Sequence, residues 1–349
     1  MSYTNGLDNP TLYFNTVLYT GNETDNHAIT GVGFQPDFVW AKNRTVAESH
    51  NLFDSVRGAT KLLIPNTTNA ESTQATFLKS FDTDGFTLGT SNNINDSGAN
   101  LVAWNFLASN TTASNTDGSI TSTVSANTTS GFSIVTYTGN NTAGATVGHS
   151  LGTTPQLIII KNRDSAVNWQ SYHEVLGNQA YLRLNTTGAA STGASIWNNT
   201  SPTSSVFTLG SGFDAVNGSG NSHVAYCFAE KKGFSKFGKY TGNGSTDGTF
   251  VYTGFKPAFV IRKSSTYAGT DWRMDDNKRP GYNTIPYTLF PNTSGAEFTS
   301  SGYYVDLLSN GFKCRGTSAN QNTSGETYIY MAFASNPFVT SGGIPTTAR

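Results

Sequence analysis

Tyr19-Thr-Gly-Asn22 is the first of three copies of one tetrapeptide, and the others are Tyr137-Thr-Gly-Asn140 and Tyr240-Thr-Gly-Asn243. Each copy is followed by a proline, a run of β-branched and aromatic residues, and a lysine. These runs are Pro36-Asp-Phe-Val-Trp-Ala-Lys42, Pro155-Gln-Leu-Ile-Ile-Ile-Lys161 and Pro257-Ala-Phe-Val-Ile-Arg-Lys263. Because the surroundings recur with the motif, a unit of about 100 residues is repeated, which is too long for a solenoid repeat and long enough for a core of its own.

Later landmarks keep the same order in each copy. An Asn-x-Ser-Gly sequence begins at Asn95, Asn217 and Asn322 and opens an alternating apolar run. The predicted final strands are Leu101 to Phe106, His223 to Phe228 and Tyr328 to Phe333. Side chains of a strand alternate between its faces, so Val102, Trp104 and Phe106 are expected on one face. The run 157–160 is apolar at every position, which predicts a strand covered on both faces.

The repeats divide the chain into six parts. They are an amino-terminal arm (1–11), repeat 1 (12–108), a Ser/Thr/Asn-rich linker (109–131), repeat 2 (132–230), repeat 3 (234–338) and a carboxy-terminal tail (339–349). The linker is either a flexible spacer or a spacer with one edge strand at 119–125. The short joint at 230–233 predicts a nearly fixed orientation of repeats 2 and 3.

Short strands of period two, broken by Asn-Gly, Asp-Gly and Ser-Gly turns, predict an all-β fold. We expect three tandem antiparallel β-sandwich domains of the jelly-roll, concanavalin A-like type. Each is expected to be self-sufficient, so a single core running through all three would contradict this organisation.

Composition excludes several classes of partner. Charged residues make up 12% and the net charge is −1, which leaves no basic surface for nucleic acid or anionic lipid. The chain has neither an amino-terminal signal pattern nor an apolar run of about 18 residues, so we expect synthesis in a cytoplasm and no membrane insertion. The cysteines, Cys227 and Cys314, fall in different repeats and are expected to be buried thiols.

One recurring set of residues is a candidate binding site. An aromatic side chain stands eight or nine residues after the lysine of each run, at His50, Trp169 and Trp272. Four residues later stand Asp54, His173 and Asp276, and three residues after these stand Arg57, Leu176 and Arg279. An exposed tryptophan beside an Asp/Arg pair would suit the apolar face of a sugar ring. Alternatively, the aromatic side chains are buried and the pairs stabilise a turn. The candidate carbohydrate-binding residues are His50, Asp54, Arg57, Trp169, Trp272, Asp276 and Arg279.

Catalysis is not expected. A glycosidase needs two closely spaced carboxylates, and the recurrent acid, Glu71 matched by Glu297, is replaced by Ala190 in repeat 2. The five histidines lack a second ligand at metal spacing, and no phosphate loop or nucleophile elbow is present. No cofactor or metal is therefore predicted.

Several phrases resemble a family of virion proteins of tailed bacteriophages of marine bacteria, described as tail fibre-like or structural proteins with repeated lectin-like β-sandwich modules. The resemblance covers nearly all of 14–338. Its strongest carriers begin at Thr30 (Thr-Gly-Val-Gly-Phe-Gln-Pro-Asp-Phe-Val-Trp), Phe53 (Phe-Asp-Ser-Val-Arg-Gly), Asn115 (Asn-Thr-Asp-Gly-Ser-Ile-Thr-Ser-Thr-Val-Ser-Ala-Asn) and Tyr328 (Tyr-Ile-Tyr-Met-Ala-Phe-Ala). It implies a non-enzymatic structural or adhesive role and transfers no site residues.

The resemblance implies location in the virion after synthesis in the host cytoplasm. The leading expectation is a trimeric tail fibre-like appendage that presents lectin-like domains to host-surface glycans. It would contact other virion proteins through Met1 to Thr11 and Thr340 to Arg349. The alternative is a capsid decoration or head fibre protein, and the least favoured expectation is a polysaccharide depolymerase.

Overall fold

The structure is a computed structural model that describes residues 4, 6–211, 214–279 and 282–346. Within these ranges the chain is nearly all β, and its α-helices are single turns: α1 (Asn92–Asn95), α2 (Ala194–Trp197) and α3 (Asp214–Asn217). None of the described helices is long and apolar enough to cross a membrane. The all-β expectation is confirmed.

The strands follow the predicted repeats. Repeat 1 contains β1 (Phe14–Thr20), β2 (His27–Thr30), β3 (Phe38–Asn43), β4 (Asn51–Asp54), β5 (Lys61–Leu62), β6 (Ser72–Thr73), β7 (Leu78–Asp82), β8 (Gly85–Leu88) and β9 (Asn100–Phe106). The linker contributes β10 (Ala113–Asn115) and β11 (Ser122–Asn127). Repeat 2 contains β12 (Phe132–Thr138), β13 (Thr146–Gly148), β14 (Leu157–Asn162), β15 (Gln170–His173), β16 (Ala180–Arg183), β17 (Ser191–Thr192), β18 (Val206–Thr208) and β19 (Ser222–Phe228). Repeat 3 contains β20 (Ser235–Thr241), β21 (Phe250–Tyr252), β22 (Phe255–Ser264), β23 (Arg273–Asp276), β24 (Tyr287–Thr288), β25 (Phe298–Thr299), β26 (Val305–Leu308), β27 (Gly311–Cys314) and β28 (Thr327–Pro337).

One sheet order recurs three times. The larger sheets run β1-β9-β3-β4, β12-β19-β14-β15 and β20-β28-β22-β23. In repeat 2 the linker strands β10 and β11 at one edge and β16 and β17 at the other extend this sheet to eight strands. Each larger sheet faces a smaller one, β2-β8-β7, β13-β18 or β21-β27-β26. The pairing within these sheets is antiparallel. In each repeat the final strand is central, because it pairs with both the first strand and the long apolar strand.

Apolar side chains of the larger sheets point both ways. In β9, Leu101 and Ala103 pack against the smaller sheet of repeat 1, in an inner core with Phe86 and Leu88. Repeats 2 and 3 have matching inner cores, which bury Cys227 and Cys314 as free thiols. Every residue of β14 is buried, as the apolar run predicted.

The opposite faces of the three larger sheets form one shared central core. Val102, Trp104 and Phe106 belong to it, together with equivalent residues of repeats 2 and 3. The rings of Phe106, Phe228 and Phe333 meet there, with centroids 4.9 to 5.9 Å apart. The expectation of three self-sufficient domains is therefore corrected. Each larger sheet is apolar on both faces, so it needs a cover on both sides.

The Tyr-Thr-Gly-Asn motif fixes the turn beyond the first strand. The Tyr19 hydroxyl donates to the Ile94 carbonyl at 2.9 Å, and the side chain of Asn95 accepts the Asn22 N–H at 3.0 Å. A Cβ on Gly21 would lie 2.1 Å from the Asp96 oxygen, so only glycine fits there. The same contacts recur in the other repeats, where the Tyr137 hydroxyl donates to the Val216 carbonyl and the Tyr240 hydroxyl to the Gln321 carbonyl. The side chains of Asn217 and Asn322 accept the N–H groups of Asn140 and Asn243 in the same way.

The segments between and outside the repeats pack on the body. The linker forms two strands, and β11 pairs along the whole of β12, so the linker adds edge strands to repeat 2 rather than a flexible spacer. In the arm, Leu7 is buried in the central core. Asp8 accepts a hydrogen bond from the Ser341 N–H at 2.7 Å, which places the arm beside the tail. Residues 1–3, 5 and 347–349 lie outside the described residues.

Candidate functional site

The candidate residues lie where the three repeats meet. Interface 1/2, between repeats 1 and 2, is built on Asp54 and Arg57, whose side chains are fully buried. Arg57 donates from Nε to Asp54 Oδ2 at 2.5 Å and from Nη1 to Glu71 Oε2 at 2.9 Å. From repeat 2, Arg163 donates through Nε and Nη2 to both oxygens of Glu71, at 2.8 and 2.9 Å. The Tyr226 hydroxyl donates to Asp54 Oδ2 at 2.7 Å, so both carboxylates are shared between the repeats.

Interface 3/1 repeats this network between repeats 3 and 1. Arg279 donates to Asp276 Oδ2 at 2.6 Å and to Glu297 Oε1 at 3.1 Å. From repeat 1, Arg44 makes a two-pronged contact with Glu297 at 3.0 and 2.8 Å. The indole N–H of Trp104 takes the place of the tyrosine hydroxyl and donates to Asp276 Oδ2 at 3.1 Å.

In interface 2/3, uncharged side chains occupy the positions of the charged groups. His173 stands in place of the aspartate, and its Nε2 lies 3.1 Å from the Tyr330 carbonyl oxygen. The backbone contact survives, since the Ala190 N–H donates to the Ser265 carbonyl at 2.9 Å, as the Glu71 and Glu297 N–H groups do in the other interfaces. The five positions that form a polar network in the other interfaces are occupied here by His173, Leu176, Ala190, Ser265 and Met331.

The three interfaces close a ring. Repeat 2 contacts repeat 1, repeat 3 contacts repeat 2, and repeat 1 contacts repeat 3, each time through equivalent positions. Head-to-tail contacts of this kind form a closed ring when the rotations from one unit to the next add up to a full turn, as in a cyclic trimer. Here one chain supplies all three units.

The recurring aromatic side chains also belong to the interfaces. Trp169 donates from Nε1 to the Ile64 carbonyl at 3.2 Å, and Trp272 donates to the Arg183 carbonyl at 3.0 Å. His50 Nε2 lies 3.1 Å from the equivalent carbonyl oxygen in repeat 3. Trp169 is fully buried and Trp272 is 4% exposed.

A buried ring cannot cover a sugar, so the platform interpretation does not hold for these positions in the folded chain. All seven candidate residues are buried and contact a neighbouring repeat or the ion pair beside it. The alternative, in which the aromatic side chains are buried and the charges form pairs, matches their placement. Within the described residues, no group of three His, Cys, Asp or Glu side chains is arranged to hold a metal ion.

The pKa values follow from burial and from the pairing. Burial acts to raise the pKa of the Glu71 carboxyl, but the hydrogen bond from Arg163 and the charge of Arg57 outweigh it and lower the pKa below its usual value. Burial lowers the pKa of His173 to about 4 and holds that of His50 well below its ordinary value. Both histidines are therefore neutral at pH 7, and their Nε2 protons are assigned from the carbonyls they face.

Three lysines recur behind the interfaces. Lys42, Lys161 and Lys263 are fully buried, and each ammonium donates to the carbonyl of the following residue at 2.6 to 2.8 Å. Burial lowers the pKa of each to about 8. These contacts hold the turn that leads to the interface arginine or serine.

The arginines that cross between repeats were missed in the sequence, although a signal was present. Arg44 and Arg163 stand two residues after the recurring lysines, and Ser265 stands at that place in repeat 3. The serine faces Ala190, the position where the recurrent acid is lost. A joint loss of acid and base at positions that are not adjacent in sequence indicates a contact between repeats.

A family model described as Domain of unknown function (DUF7483) matches residues 9–337. No curated protein and no solved structure matches the chain. The matched range includes repeats 1 and 2, the linker and all but the last residue of repeat 3, so it covers every residue of the three interfaces.

Proposed function

The chain belongs to the DUF7483 family, and we propose that it is a non-enzymatic structural protein of a bacteriophage virion, a tail fibre-like appendage that attaches the particle to its host. The observation that carries this proposal is the closed ring. Its recurring acids, arginines and aromatic side chains bind the repeats to one another. Such residues build a rigid body, which suits an external appendage.

We further propose that each repeat is a sandwich of the jelly-roll, concanavalin A-like type. The pairing of a four-stranded sheet with a smaller sheet supports this proposal. In repeat 1 the two sheets enclose an inner core in which Phe53 and Phe86 are fully buried. The shared central core is an addition to that architecture, made by the second face of the larger sheet.

Attachment to other virion proteins is proposed through the arm and the tail. The hydrogen bond between Asp8 and Ser341 brings these segments together. A single partner surface could therefore contact both. The predicted trimer stays a prediction, and light scattering would distinguish the 37.2 kDa chain from an assembly of three.

Electron microscopy of intact particles tests this function, with a gold-labelled antibody against the chain. The proposal predicts label at the tail, in tens of copies per particle. Dense label over the head would favour the decoration alternative, and unlabelled particles would overturn both. Incubation with host capsule should release no reducing ends, whereas release would favour the depolymerase.

A further inference from the structure

The outer face of the smaller sheet of repeat 3 carries two exposed rings. Phe250 and Tyr252 lie two residues apart on β21 and are 43% and 59% exposed, whereas Val251 between them points into the inner core. Side chains two apart on a strand project from the same face about 7 Å from each other. Together the two rings form an apolar strip on this face.

The equivalent positions in the other repeats lack aromatic side chains. The registers Ile29 to Phe86, Val147 to Phe207 and Val251 to Phe312 align the three sheets. The residues that match Phe250 and Tyr252 are Ala28 and Thr30 in repeat 1, and Thr146 and Gly148 in repeat 2. Repeat 2 is also covered here by the linker, since the Ser122 hydroxyl donates to the Gly148 carbonyl at 2.9 Å. The aromatic strip is thus specific to repeat 3.

A balanced set of charges borders the strip. Lys313 lies directly across from Phe250 and pairs with Asp247 at 2.6 Å. Arg315 lies 3.3 Å from both Asp247 and Asp306. Two acids face two bases, so this border supplies hydrogen-bond donors and acceptors without a net charge.

Tyr252 also lines an open cavity of about 450 Å³ beside the strip. Phe338 and Lys232 also line it, and Lys236 and Glu230 form a 2.7 Å ion pair at its wall. Gly254 lies under the tyrosine, since a Cβ there would be 3.6 Å from the hydroxyl oxygen. A concave site of this size with two rings and a few polar groups is typical of small-ligand pockets.

We infer that this face binds a neutral saccharide of the host surface, an inference that rests on the proposed attachment function. The CH face of a pyranose lies against the Phe250 and Tyr252 rings, and its hydroxyls exchange hydrogen bonds with the Asp247–Lys313 pair. The next sugar unit enters the cavity between Tyr252 and Phe338. A neutral ligand fits the strip because the two acids and two bases that border it leave no excess charge to attract an anionic or cationic polymer.

Binding of the full chain to immobilised dextran, mannan and galactan tests this inference, with alginate as an anionic comparison. Wild-type chain should bind at least one of the neutral polymers in preference to alginate. The double variant Phe250→Ala with Tyr252→Ala should bind about tenfold or more weakly, since each ring contributes a stacking contact. Thr30→Ala, at the position in repeat 1 that matches Tyr252, is the control and should leave binding unchanged. All three chains should unfold at the same temperature, because the substituted side chains are exposed.

Two outcomes would overturn the site: binding to no neutral polymer, or equal binding by wild type and double variant. Stronger binding to alginate would overturn the ligand class. None of these results bears on whether the chain is in the virion, which the labelling experiment decides separately. Conversely, saccharide binding by a chain absent from particles would remove the proposed function and leave the site.

Discussion

Interfaces 1/2 and 2/3 join the same kinds of surface by different chemistry. Interface 1/2 buries the Arg57 side chain between two carboxylates, and a second arginine and a tyrosine come from the neighbouring repeat. Interface 2/3 has leucine, alanine, serine and methionine at the matching positions, with one neutral histidine. Both keep the tryptophan bond to a carbonyl and the backbone bond beside it. The shared contacts therefore fix how neighbouring repeats pack, and the charged residues are not needed for this packing.

This difference indicates that the polar residues change as a group. A half-satisfied buried network is worse than a complete one or an apolar replacement, because one charge is left without a partner. This explains why the Asp-x-x-Arg pair is absent from repeat 2. The partner that would meet it is Met331, which has no donor to offer, whereas Tyr226 and Trp104 occupy that position elsewhere.

The largest effect is expected from breaking one network in part. Arg57→Leu leaves Asp54 and Glu71 buried with fewer partners, and we expect a loss of about 3–5 kcal/mol in the free energy of unfolding. Denaturant titration measures it. Leu176→Ala, the matched change in interface 2/3, should cost less because Leu176 is only half-buried and uncharged.

Replacing the whole network should cost less than removing one arginine from it. Interface 1/2 can be given the residues of interface 2/3 with Asp54→His, Arg57→Leu, Glu71→Ala, Arg163→Ser and Tyr226→Met. This variant should recover most of the stability that Arg57→Leu removes, since no buried charge is left alone. If the variant with all five substitutions is less stable than Arg57→Leu, that result would contradict the view that the network changes as a unit.

Acid should weaken interface 2/3 before interface 1/2. The pKa of His173 is about 4 in the folded chain against 6.5 as its ordinary value, so between these values the unfolded chain binds more protons. Stability therefore falls as the pH drops from 6.5 to 4, by up to about 1.4 kcal/mol per pH unit from this group. The contribution of Glu71, whose pKa is lowered, is lost only at pH values below its ordinary 4.5.

His173→Gln keeps a donor toward the Tyr330 carbonyl and removes the titration. The variant should show a shallower loss of stability over this pH range, measured by urea unfolding at several pH values. An unchanged slope would mean that His173 is charged, or solvated, in the folded chain.

A smaller effect is expected from the contacts that all interfaces share. Trp272→Phe removes the donor to the Arg183 carbonyl and keeps most of the ring, so we expect a loss of about 1 kcal/mol. Trp169→Phe in interface 1/2 should cost a similar amount. A loss in only one of the two would show that the shared contacts are not equivalent, and thermal unfolding of both variants measures it.

The smallest effect comes from adding charge to interface 2/3. Ala190→Glu with Ser265→Arg rebuilds the outer ion pair that Glu71 and Arg163 form, without the buried aspartate and arginine beneath it. Because this pair is partly exposed, a gain of about 0–1 kcal/mol is expected. The single changes should each give no gain, and a double-mutant cycle measures the coupling.

Much of the fold follows from the sequence, because it rests on local patterns. The repeated motif, the alternation in β9 and the apolar run in β14 predict strands, faces and the order of elements. The alternation of apolar residues in one strand does not predict which part of the molecule covers each face of that strand. Val102 and Leu101 are equally apolar, and nothing near them in sequence says that one meets its own repeat and the other the central core.

The candidate site shows the same limit. The spacing singled out Trp169 and the Asp/Arg pairs as a recurring group, but a tryptophan beside a charged pair fits a sugar platform and a buried contact alike. What decides between these two interpretations is that Arg163 and Tyr226 of repeat 2 contact Glu71 and Asp54 of repeat 1. The exposed rings Phe250 and Tyr252 were overlooked because they do not recur, although comparison with Ala28 and Thr30 would have indicated them.

Native-state hydrogen exchange in increasing denaturant tests the shared central core most directly. The slowest amides of β9, β19 and β28 should exchange with one free energy of opening and one denaturant dependence, because the three strands lose their common cover together. Three separate free energies, each with the denaturant dependence of a unit of about 100 residues, would contradict the account, since each repeat would then be stable alone.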